Sequence, residues 1–327
     1  MGFMPIFRFD TSSQLFEQFP GDLSSISVSV DHVGFEDVWG INRNSDIFRL
    51  VGNRQDGEFF QQVPGKLSSI STSSNGDVWG LNEDPEDNIL RFIESRQVFF
   101  NVPGRLRVLA NGGVGQVWGL SHNSDIFRFD ESRQVFNRLP GKLRSIATNG
   151  LTAFGINQDS DIFRFNESRQ VFEQIPGKLA SISANNGTVW GLNQHSEIFE
   201  FFENSFNNSG PLFAQNPGKL TTISVDGPDF GHGLAVWGLN GTDIFRLNDG
   251  GLFEQVRDVH DRKLTRISVS ASASGFLSVW GLFNISQVPT PTALSVRSLV
   301  NKVSQSINSL LRQIWHFAST RRPNGCL

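Results

Sequence analysis

Residues 153–192 read AFGINQDSDIFRFNESRQVFEQIPGKLASISANNGTVWGL, and this stretch decides the fold. Short runs rich in Phe, Ile and Val alternate with Asn, Asp, Ser, Gly and Pro, the composition of strands separated by turns. After thirty-six residues the reading returns to its start, VWGL for AFGI. Outward from here three phrases recur in fixed order through the chain. IFRF-like phrases begin at Ile6, Ile47, Ile89, Ile126, Ile162, Ile198 and Ile244. PGKL-like phrases run from Pro20 to Pro217, with a worn seventh copy at Arg262–Leu264. VWGL-like phrases run from Val38 to Val279. There are seven of each, and the Trp residues fall 40, 39, 36, 36, 47 and 43 apart when Phe154 stands in for the fourth.

Each unit supplies four strands: SIS after PGKL, then VWGL, IFRF, and a Phe-led strand into the next PG. Four strands per roughly forty residues, repeated seven times, predict an all-β, seven-bladed β-propeller of four-stranded blades. The chain enters mid-unit, at IFRF, and the last unit holds only RISVS and VWGL. Pairing of the N- and C-terminal strands is therefore expected to close the ring and remove free sheet edges. The predicted organisation is a propeller over 1–283, a linker over 284–292, and a basic amphipathic helical tail over 293–327. Insertions at Glu203–Pro211 and Val225–Gly233 lie between strands and are expected on the rims.

The composition narrows function. There are 30 Phe, 7 Trp and no Tyr, and the formal net charge is −4. All five basic residues after Asn284 lie in the tail, which has no acid, so 23 basic face 32 acidic residues before it. An acidic body gives no reason to expect nucleic acid as a partner. A single Cys326 excludes an intrachain disulfide, and the six histidines occupy unrelated repeat positions without metal spacing. No nucleophile elbow or phosphate loop is present. No enzyme activity, metal or cofactor is expected. The first residues are neither basic nor apolar enough for a signal peptide, which points to a cytoplasmic protein or to unconventional release.

Units reading VWGLN, DIFRF, F-x-Q-x-PGKL and SIS resemble the tectonin repeats of the tachylectin and tectonin lectin propellers, over roughly residues 5–282. The resemblance implies multivalent recognition of glycans on microbial surfaces, O-methylated sugars included, in innate defence. A second branch of that family works inside cells on damaged membranes and in autophagy. Members carry IYR where this chain reads IFR, so any ligand contact through a phenolic hydroxyl is lost here.

Three repeated positions are candidate carbohydrate-binding residues, each beside a structural alternative. Trp39, Trp79, Trp118, Trp190, Trp237 and Trp280 either pack between blades or line pockets where a sugar's C–H face stacks on an indole. Asn42, Asn82, Asn157, Asn193 and Asn240, with the carboxylates Asp46, Asp125 and Asp161, bracket one hairpin. They serve turn chemistry or form a ring of sugar-reading groups. Arg49, Arg128 and Arg164 of IFRF pair with neighbouring carboxylates or face the ligand. If the Arg is essential, the unit with Glu200 in its place is a dead site and the unit with Phe154 a weak one.

In the tail, Val296, Val300, Val303, Ile307, Leu310, Ile314 and Phe317 form an a/d stripe. That stripe needs a partner. Three partners are open: a homo-oligomeric coiled coil through 296–317, the chain's own propeller, or an anionic membrane surface through 293–317. The alternative to a lectin is thus a non-enzymatic protein- or membrane-binding scaffold targeted by its C-terminal helix.

Overall fold

The computed structural model describes residues 5–283, except 32, 54–56, 84–87, 114, 204–212, 228–233, 257–263 and 273–275. Both rim insertions fall largely, and the linker and tail wholly, outside the described residues. The described residues form seven four-stranded antiparallel sheets arranged as a propeller. Blades 1 to 6 occupy 25–66, 69–102, 108–142, 145–178, 181–219 and 222–255 in order. In blade 4 the strands run Ser145–Thr148, Ala153–Ile156, Asp161–Asn166 and Val171–Lys178. The SIS-type strand is innermost and the PGK-bearing strand outermost.

Blade 7 is built from both ends of the propeller, as expected: Leu15–Phe19, Ile6–Asp10, Leu277–Leu282 and Arg266–Ala271 lie side by side. The seam aligns Ile6 with Leu282, Phe7 with Gly281 and Arg8 with Trp280. Turns alternate between the two ends of each sheet. The upper face carries the turns joining first to second and third to fourth strands. The lower face carries the second-to-third turns and the links between blades.

The phrases now have packing roles. The Leu of each PGKL-like phrase is buried and fills the space above the Gly of VWG. A Cβ on Gly119 would stand 2.2 Å from Leu106 Cδ1, and equivalent contacts occur from Gly40 to Gly281. The glycine is required by crowding, since its backbone is ordinary strand. The Trp of each phrase packs edge-on against Phe side chains of the next blade, as Trp39 does on Phe92 with centroids 4.7 Å apart. The clusters of buried apolar residues accordingly join neighbouring blades. One detail departs from the sequence reading. In blades 1, 3, 4 and 5 the outer strand continues through PGK instead of turning there. A register shift admits it, as between Asp125 and Ile126. The outer strand has no further neighbour to miss the proline N–H, and Gly141 takes the positive φ of 104° that the shift requires.

Polar links bind the inner strands near the seam. Asp226 on blade 6 is fully buried. Its carboxylate accepts from Asn186 Nδ2 on blade 5 at 2.8 Å, from Gly227 N at 2.8 Å, and from Ser270 Oγ and Ala271 N on blade 7. Ser270 Oγ in turn accepts from Val30 N on blade 1. Burial pushes the Asp226 pKa up to about 6, against the pull of those four donors. Between about pH 4 and 6 the folded chain therefore keeps a proton that the unfolded chain has lost. Ionising the buried group costs native stability, so its contribution falls as pH rises through that window, by up to about 3 kcal/mol. Denaturant titrations at several pH values should show this fall in the native protein relative to Asp226→Asn. Parallel pH profiles of the two proteins would remove Asp226 as the cause.

Candidate functional site

The sequence candidates divide into three layers. The six indoles form the innermost one. All are 0–2% exposed and packed against Phe rings of the next blade, and Trp39, Trp79, Trp118 and Trp280 are covered by an arginine as well. A sugar has no access to an indole face here, and packing between blades is the role the structure gives them. Phe154 fills the same position against Phe201 at 4.9 Å.

The second layer is the Asn–carboxylate hairpin on the lower face. Asn42 Oδ1 accepts from the backbone N–H of Asn44 and Asp46, and its amide donates to Asp46 Oδ2 at 3.0 Å. Asn157 with Asp161 and Asn193 with Glu197 repeat the arrangement, and Ser121 with Asp125 approximates it. Asn82 bonds through its backbone to Asn88, while Asn240 faces Asp243 across a tight turn. In three of these hairpins the Lys of PGK completes a trio: Lys66 reaches Asp46 at 2.5 Å, Lys142 reaches Asp125 at 2.7 Å, and Lys178 reaches Asp161 at 2.6 Å. These lysines, followed by the Asn partner for Asp46 and Asp161, hold the carboxyls below their usual range. The trios saturate one another and make this turn chemistry.

The third layer is the arginine ring, and it looks to the upper face. Arg49 stacks over Trp39 at 5.0 Å, donates to Asp37 of its own blade at 2.9 Å, and bridges to Glu94 of the next. Arg91 does the same with Asp77 and Glu131. Arg128 uses Gly115 O and Glu167, and Arg164 reaches Glu203. Burial depresses the guanidinium pKa of Arg49, but the acids beside it outweigh this and the net shift is upward; the same holds for Arg91. The arginines thus join blades through carboxylates one repeat away. In blade 5, Glu200 takes the arginine position opposite Trp190, and burial raises its pKa while Asn216 pulls the other way. The structure therefore separates the Asn–Asp ring from the Arg ring, on opposite faces.

Above the arginine ring the surface opens into clefts. One of them, about 670 Å³, spans blades 7, 1 and 2. It is walled by Arg8 and Phe276 of blade 7, by Phe35, Glu36, Asp37 and Arg49 of blade 1, and by Glu94 and Gln97 of blade 2. Blade 1 makes it possible because its third and fourth strands, Asp46–Asn53 and Gly57–Lys66, outrun those of the other blades and raise a wall. At its base Glu36 accepts from Arg8, Ser278 and Trp280 Nε1. A second cleft of about 350 Å³ lies across Phe276, between blades 6 and 7, with Arg246 and Glu254 in its wall. Glu36 and Glu58 lie outside the repeated positions that the sequence singles out.

No group of three or more metal-ligating side chains occurs among the described residues. The model of the Tectonin domain matches residues 6–91, 84–211 and 155–315. No curated protein matches the chain. Among solved structures, human WBSCR16 is similar at 10% identity and TM-score 0.63, over 86% of this chain and all of that one. Prp20p of Saccharomyces cerevisiae is similar at 11% and 0.61, over 93% and 96%. Yeast RCC1 (Prp20) bound to Kap60 is similar at 12% and 0.59, over 87% and 90%. At these identities the structural likeness speaks to the fold alone, whereas the family matches cover the repeats themselves: the chain belongs to the tectonin family of β-propellers.

Proposed function

We propose that this propeller is a non-catalytic, multivalent carbohydrate-binding protein that recognises surface glycans, O-methylated sugars among them, in defence against microbes. The observation that carries this reading is the pair of upper-face clefts, where charged and amide side chains stand beside aromatic rings. Planar guanidinium and carboxylate groups suit adjacent sugar hydroxyls. Weak sites that engage one surface together gain avidity. A glycan array that includes methylated sugars tests it: the intact protein should bind a coherent set of glycans and agglutinate beads that carry them. Silence across the array would end the reading.

A second reading, a protein-binding scaffold, is favoured by one observation. Val33, Phe35, Leu234 and Leu252 are exposed apolar side chains on the upper face of blades 1 and 6, which flank blade 7. Prp20 has been solved with Kap60 and described as binding Gsp1p and histones, so propellers of this shape carry protein partners. Capture of a protein partner that is lost on Phe35→Ser, together with a silent array, would favour this reading.

A further inference from the structure

The charge of the cleft spanning blades 7, 1 and 2 is uneven; of the other arginine positions Arg91, between Asp77 and Glu131, is alike, whereas two differ. Arg128 meets one carboxylate, Glu167, and a carbonyl. Arg246 meets Glu254 and the neutral Gln14. In the cleft each arginine is shared between two carboxylates. Arg8 lies between Glu36 and Glu58, and Arg49 between Asp37 and Glu94. Among the described residues the wall therefore holds two cations and four carboxylates, with no lysine or histidine. Three of those acids, Glu36, Asp37 and Glu58, are mostly buried, so water screens their excess charge poorly. Both arginines are already stacked on indoles, which turns their own faces away from an incoming ligand.

We propose that the cleft spanning blades 7, 1 and 2 selects a hydroxyl-rich ligand bearing free ammonium groups, an amino sugar with unacetylated nitrogen, because its paired carboxylates outnumber its arginines. This rests on the glycan reading above and sharpens it for one site. The Gln61 amide offers a donor and an acceptor to hydroxyls, the Gln62 and Gln97 amides, whose Nε2 groups donate to Asp46 and Glu94, offer their oxygens, and the exposed Phe35 ring supplies an apolar face for a pyranose. A cationic polypeptide would satisfy the charge but leave those amides unused.

Fluorescent oligomers of glucosamine, fully deacetylated or fully N-acetylated, distinguish the cases when titrated into the whole protein in mildly acidic buffer. The deacetylated oligomer should bind about tenfold tighter, with a gap that shrinks as salt is added. Glu94→Gln, at an exposed carboxylate, should close much of that gap. Glu58→Gln is the second variant. Equal binding of both oligomers would overturn the charge selection and leave the glycan reading standing. Binding of neither would overturn the assignment of this cleft to amino sugars, and the glycan reading would then rest on the array. Equally tight binding of an oligolysine of matched length would show a cleft that reads charge alone, and would overturn the sugar assignment.

Discussion

Glu36→Ala is expected to destabilise the propeller by about 3–5 kcal/mol, lowering its melting midpoint by roughly 10 °C. Glu36 is only 8% exposed, and its carboxylate ties together the two ends of the ring. It receives Arg8 from the N-terminal segment of blade 7, and Ser278 and Trp280 Nε1 from the C-terminal segment. Without it Arg8 retains only Glu58, and a mostly buried guanidinium loses half of its compensation. Removing both charges, in Glu36→Leu with Arg8→Leu, should cost less than the single change because no orphaned ion remains. Thermal and urea unfolding of the three proteins checks this. A Glu36→Ala protein as stable as the parent would show that backbone pairing alone closes the ring.

Trp118→Ala should cost a comparable 3–5 kcal/mol, roughly, by emptying the joint between blades 3 and 4. The indole packs on Phe165 at 4.7 Å and Phe172 at 5.6 Å, supports Arg128 at 5.0 Å, and donates from Nε1 to Gln116. Trp118→Phe should cost far less, since Phe154 does the same work one blade on. Glycan binding by folded Trp118→Phe should match the parent, because the ring lies beneath the ligand-accessible surface. A variant of normal stability that loses binding would restore the indoles as sugar platforms.

Much of the architecture can be read from phrases that recur. Blade number, strand order and the split seventh blade all follow from Ile6 standing mid-unit and Val279 ending without its partners. Periodicity reports what is shared, and packing roles are shared. The candidate site was less legible because it arises where blade 1 departs from the pattern. VGNRQDGE replaces the short ESRQ-type turn, lengthens the hairpin and raises the cleft wall. The arginine partners also escaped a reading along single strands. Yet the recurring Glu of ESRQ carried the signal: Arg91 and Glu131 lie 40 residues apart, and Arg128 and Glu167 lie 39 apart, each one repeat. Asp226 could not be singled out, because one acid between strands looks like turn chemistry until neighbouring blades bury it.

The alignment of Ile6 with Leu282 has a consequence for how the chain is made. Of the propeller's strands, the one synthesised first pairs on one side with the one synthesised last. At ordinary translation speeds the interval is on the order of tens of seconds. Throughout it, Ile6–Asp10 presents an apolar edge with no permanent neighbour, while six other blades complete themselves locally. Holding that edge harmless until the ring can close is a task for the nascent chain or its chaperones, and slowing synthesis should raise the fraction lost to aggregation.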